Sequence, residues 1–113
     1  MTQRRMILEM GAGNDLHGGN YTKAALRAVD DALHHSSLSF LKSLSIDTAD
    51  MQVKVTIGVQ DPDAVDADQI RAALPHGEVN VSVVSGGLDV PTEPDFDATV
   101  IATAAIEVNL DLE

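Results

Sequence analysis

The stretch Glu9-Met-Gly-Ala-Gly-Asn-Asp-Leu-His-Gly-Gly-Asn-Tyr-Thr-Lys23 packs two acids, a histidine, a lysine and four glycines close together. Side chains of these types move protons and bind anions, and glycines let backbone amides come close to a ligand. Glu9, Gly11, Gly13, Asn14, Asp15, Gly18 and Thr22 are therefore candidate ligand contacts. His17 has the ordinary pKa of a general base near neutrality; the alternative is a solvated loop histidine. Lys23 falls in the first turn of an expected helix, where the dipole disfavours a cation. Asp15, Glu9 or a ligand carboxylate would offset it. Asp15 and His17 could share a proton or a metal ion. No third ligand follows at a matching spacing, so no metal site is assigned. The glycines fit neither the dinucleotide fingerprint nor the Walker loop: Leu16 stands where the first wants glycine, and Gly19-Asn20 where the second wants Lys-Ser/Thr. No cofactor is expected.

Ser85-Gly86-Gly87 is the second candidate. A serine before two glycines at a strand end can present its hydroxyl as a nucleophile, with free amides for an oxyanion. Lys23 or His17 would activate it. The alternative is a tight turn, which glycine pairs favour. Asp89, Glu93, Asp95 and Asp97 do not match the calcium-loop spacing and read as a solvated acidic loop. His34 and His35 read as helix caps, and His76 as an exposed turn residue.

The elements that must position these groups follow from hydrophobic period. Met6 to Met10 reads as a strand, with Met6, Leu8 and Met10 on one face and Ile7 and Glu9 on the other. Gly11 to Gly19 reads as a loop. Thr22 to His34 is helical, with Ala25, Ala28, Val29, Ala32 and Leu33 on one stripe. Asn20 or Thr22 would cap it, and Arg27 and Asp31 would pair along it. Ser37 to Leu44 reads as a helical extension. Met51 to Gln60 alternates as a half-buried strand. Asp66 caps a short helix over Ala67 to Leu74, and Val79 to Val84 and Thr99 to Leu112 complete the strands. The order β-α-β-α-β-β predicts an α+β, two-layer sandwich: a four-stranded mixed sheet with helices on one face. The first two strands would be parallel, and the last two a hairpin joined by the acidic loop. The uncovered face, with Glu9, Lys54, Thr56, Ser82, Val84, Thr103, Ala105 and Glu107, reads as solvated sheet or as a wet subunit interface; a homo-oligomer is expected.

With 113 residues the chain is one domain, residues 1–113. Its net charge of −11 argues against nucleic acid and anionic membranes as partners, since both want a basic surface. No cysteine means no thiol nucleophile and no Cys-bound metal. No apolar run reaches membrane-spanning length, and no export signal is read at Met1 to Met10, so the cytoplasm is the expected compartment.

Leu8-Glu-Met-Gly-x-Gly-x-Asp-Leu-His-Gly18, followed by Thr22-Lys-Ala-Ala-x-Arg-Ala-Val-x-Asp-Ala32 and Ser37-Leu38, resembles a small family of uncharacterised bacterial conserved hypothetical proteins. That resemblance runs over nearly the whole chain and implies no reaction. Tyr21-Thr22 and Ser85-Gly86-Gly87 also resemble the ring-opening cyclic amide hydrolases, cyanuric acid hydrolase and barbiturase. That similarity implies repeats packed around a threefold axis, with a Ser–Lys dyad in each site. Ala12 stands where those enzymes carry their loop lysine, so Lys23 or Lys54 would have to replace it.

Two functions follow. The first is an enzyme or small-molecule site between the Gly11–Lys23 loop and the Ser85–Gly87 turn, acting on a cyclic amide or similar small polar ligand. The second is a non-catalytic oligomeric module in which the loop shapes an interface.

Overall fold

The structure, a computed structural model, describes residues 2–34, 51–74, 77–91 and 98–112. The expected extension over Ser37–Leu44, His35, His76, Glu93, Asp95 and Asp97 lie outside the described residues. The elements are β1 (Thr2–Asp15), α1 (Tyr21–Leu33), β2 (Met51–Val59), α2 (Ala67–Ala72), β3 (Glu78–Ser85), β4 (Leu88–Pro91) and β5 (Ala98–Leu112), with a 3-10 turn at Pro62–Ala64. Both helices lie on one face of a mixed sheet, the expected α+β sandwich.

The strand order is β1-β5-β2-β3, with β4 also paired to β5. β5 runs antiparallel to β1, β2 and β4, and β2 is parallel to β3. β1 and β2 are therefore parallel as expected, but β5 is inserted between them. The expected hairpin of the third and last strands is replaced. β3 sits at the sheet edge, and the hairpin forms between β5 and the short β4. A fifth strand thus occupies ground read as acidic loop. It continues the line of β2 along β5: Gly58 faces Thr103, and Leu88 faces Ile101.

The core lies between α1 and the sheet. Val53, Val55, Ile57 and Val59 of β2 and Val100, Ala102, Ile106 and Val108 of β5 are buried on the helix side, as their alternation predicts. Ala24, Ala25, Ala28, Val29 and Ala32 of α1 meet them. Asn20 caps the helix, its side chain accepting from Lys23 N at 3.0 Å. His34 closes it: Nδ1 lies 2.6 Å from Asp30 O, and that contact raises the imidazole above its ordinary pKa. Asp66 caps α2, accepting from the Asp68 and Gln69 amides. Its carboxyl is held below the usual range, first by the Gln69 side chain.

β1 departs from expectation in length and in facing. It runs through Gly11 and Gly13 to Asp15 instead of stopping at Met10. The helix explains this, because it lies directly on these glycines. A Cβ on Gly13 would meet Ala28 N at 2.3 Å and Ala24 O at 2.5 Å; one on Gly11 would meet Ala28 O at 2.5 Å. Gly11, Gly13 and Asp15 therefore face α1, and alternation puts Glu9 on that side, opposite the buried Ile106. Leu8 and Met10 point the other way, 40% and 65% exposed. Glu9 is thus not on the uncovered face.

Candidate functional site

The polar groups after β1 serve the seat of α1. Asp15 is 4% exposed. It lies 3.7 Å from Lys23 Nζ and 3.7 Å from Arg27 Nη1, and it accepts from Asn20 N at 3.0 Å. Of the three groups that could balance Lys23, Asp15 is the one that does. The same carboxylate supplies negative charge to the helix start, which has no acid in its own first turn. Gly18, at φ 91°, turns the chain beneath it. Arg27 and Asp31 do not bridge to each other as expected. Arg27 donates to Asn14 O at 2.7 Å, and Asp31 accepts from Ala12 N at 3.0 Å. Together they satisfy backbone groups on the outer edge of β1.

A second carboxylate mirrors Asp15. Asp89 of β4 and Asp15 of β1 both pair with Val100, one on each side of β5. Asp89 accepts a short hydrogen bond from Tyr21 Oη. That bond, with burial, pushes the phenol up to about 12. Thr22 Oγ1 accepts from Asp66 N at 2.9 Å and contacts Ala64 O at 3.4 Å. Asp15, Tyr21, Thr22 and Asp89 thus fasten the first turn of α1 to β1, β4 and the loop before α2. Asp89 is therefore a strand residue bonded to Tyr21 and not the solvated loop acid that the sequence suggests. The alternation Leu88-Asp89-Val90 was its only sequence signal, and it is too short to stand out.

Ser85, Gly86 and Gly87 form the crossing from β3 to β4 over the end of β2. Gly86 N donates to Val59 O at 2.9 Å, so this amide is committed to the backbone and does not face a ligand. Gln60 Nε2 donates to Gly86 O at 3.0 Å. A Cβ on Gly86 would lie 3.2 Å from Gly58 Cα, and one on Gly87 would meet Ile101 O at 2.1 Å. The glycine pair is required by this close backbone crossing.

Ser85 and Asp15 end parallel strands at the same end of the sheet. Three strand spacings, about 14 Å, separate those strands. Lys23 lies on the helix side against Asp15, and His17 lies exposed in the turn after β1. Within one chain the structure therefore joins Asp15, Gly18 and Lys23, and leaves Ser85 apart from them. Among the described residues no three His, Asp or Glu side chains gather as metal ligands would.

Gly11, Ser85 and Gly86 instead contribute backbone to the rim of one shallow depression of about 570 Å³ on the uncovered face, with β5 and β2 between Gly11 and the other two. Its walls include Met10, Ala12, Thr56, Val84, Thr103 and Ala105, with Gly58 at its floor. Strand register sets this face out in rows. Leu8, Glu107, Lys54 and Asn80 form one row, with Lys54 directly across from Glu107. Met10, Ala105, Thr56 and Ser82 form the next, then Ala12, Thr103, Gly58 and Val84. Asn14, Ile101 and Leu88 follow, and Thr99 with Val90 closes the face. These last four rows hold no ionisable side chain. Met10, Val84, Leu88 and Val90 are 65%, 44%, 55% and 41% exposed there.

A one-sided α+β sandwich with a sheet face uncharged over four of its rows and a helix locked by carboxylates defines a small structural class rather than a reaction. The chain belongs to the Lin0512 family of conserved hypothetical proteins, matched over residues 5–108. It is also similar to a crystal structure from Nostoc punctiforme, described as an FtsZ-like protein of unknown function. The two share 32% identity over 99% of each chain, with a TM-score of 0.85. The search of curated proteins gives no match. Neither the family nor this neighbour carries a stated activity. Among the described residues no helix is long and apolar enough to cross a membrane.

Proposed function

We propose that the protein is a cytoplasmic, non-catalytic association module that packs against further copies of itself across the uncovered sheet face. The observation that carries this reading is the uncharged half of that face. The chain has a net charge of −11, and its copies repel one another over most approaches. The four rows from Met10 to Val90 are where acids are absent and large apolar side chains stand exposed. Contiguous apolar surface of this kind marks an interaction site. A basic partner would be drawn to the acids, which lie elsewhere. A second copy brings the same neutral surface and meets no repulsion there. The test is size-exclusion with light scattering at micromolar concentration. The natural chain should run as an oligomer. Met10→Asp should run as a monomer with an unchanged circular dichroism spectrum. A natural chain that is monomeric throughout sinks the reading.

The depression supports a second reading, a small-ligand site. Gly11 and Gly86, expected ligand contacts, and Ser85, the expected nucleophile, all line it together with Thr56 and Thr103. A ligand that prefers the folded state raises the melting temperature, so a screen of small carboxylates and cyclic amides tests it.

A further inference from the structure

Granting that copies meet across their uncovered faces, we infer that two of them do so around a twofold axis, with Met10 of each seated in the other's depression above Gly58. The face carries a projection and a hollow side by side. Met10, 65% exposed, stands at the β1 side of the face. Beyond it the neighbours are small: Ala105 and Thr56 in its own row, then Ala12, Thr103 and Gly58 in the next. The hollow is kept open by Gly58, where a Cβ would meet Thr103 Oγ1 at 2.7 Å. Its volume, about 570 Å³, leaves ample room for a methionine side chain.

Both features belong to one surface, so a twofold axis satisfies both at once; any other closed arrangement needs a second, different patch. The chemistry also matches. The hollow is mainly apolar and uncharged, and methionine is the flexible apolar side chain that fills irregular gaps. Burial of Met10 would remove the most exposed large apolar group on the described surface from water.

The test is a pair of complementary volume changes read by sedimentation equilibrium, with circular dichroism to confirm the fold. Met10→Ala removes the projection and should weaken dimerisation about tenfold or more. Thr103→Leu fills the hollow and should weaken it similarly. The double variant should bind more tightly than Thr103→Leu alone, because the leucine then enters the space left by the partner's missing methionine. The natural chain lacks cysteine, so placed thiols report without background. Met10→Cys chains mixed with mass-tagged Thr103→Cys chains should yield mixed dimers with a short bismaleimide, well above either like-with-like product. A dimer that is untouched by Met10→Ala, that loses affinity additively in the double variant, or that cross-links only like with like overturns this arrangement and leaves self-association standing. A natural chain that never dimerises overturns both.

Discussion

Tyr21 is the only tyrosine of a chain without tryptophan, and its phenol ties α1 to Asp89. The hydrogen bond to Asp89, followed by burial, lifts the phenol from an ordinary value of 10.0 to about 12. A group raised in the folded state stabilises the fold fully below its unfolded value and loses that contribution as pH climbs through the folded one. Stability from this contact should hold to about pH 10 and fade towards 12. Absorbance titration reads it directly: Tyr21 of the native protein should ionise well above free tyrosine. An ordinary midpoint in folded protein would mean the contact to Asp89 is absent in solution. Asp15 shows how a residue changes meaning between sequence and structure. Its neighbours in sequence, His17 and the glycines, suggest a proton relay. Its neighbours in space are Lys23, Arg27 and Asn20 N, and they make it an anchor.

Between elements, the decisive contact is α1 on β1. Gly13 lets backbone meet backbone there, with Ala28 N 2.3 Å from where a Cβ would stand. Gly13→Ala should therefore cost about 3 kcal/mol in urea unfolding, from overpacking against atoms that cannot step aside. An alanine variant as stable as the natural chain would show that α1 does not rest on this strand. The periodic elements were legible in the sequence. Met51–Val59 alternates and forms β2, and the alanine stripe forms the buried face of α1. The facing of β1 was not legible. Leu8 and Met10 look like core residues, and only the bare glycines two and four positions after Glu9 disclose which side the helix takes. Register was hidden for a similar reason: nothing local tells β5 to enter between β1 and β2. The candidate site was half visible. The loop and the Ser-Gly-Gly turn are both structurally special, but for packing reasons. The surface they share, a depression that Gly11 and Ser85 both line, depends on pairings across the whole sheet.

For the whole molecule, charge and association are linked. Bringing two chains of net charge −11 together costs repulsion that added salt screens, whereas an uncharged interface has no ion pairs to lose. Dimerisation should therefore strengthen several-fold from low salt to about 0.5 M sodium chloride. Weakening under the same change would point to an interface built on ion pairs and away from the neutral rows. The strand order carries a further consequence, for biosynthesis. β5 holds β1, β2 and β4 together, yet it follows all of them in the chain. While a ribosome is still translating the residues after Pro91, the earlier strands have no central neighbour, and the edges of β1 and β2 that face β5 stay unpaired. The sheet can close only once Ala98–Leu112 has emerged, so the nascent protein depends on late, long-range pairing and is exposed to aggregation until that moment.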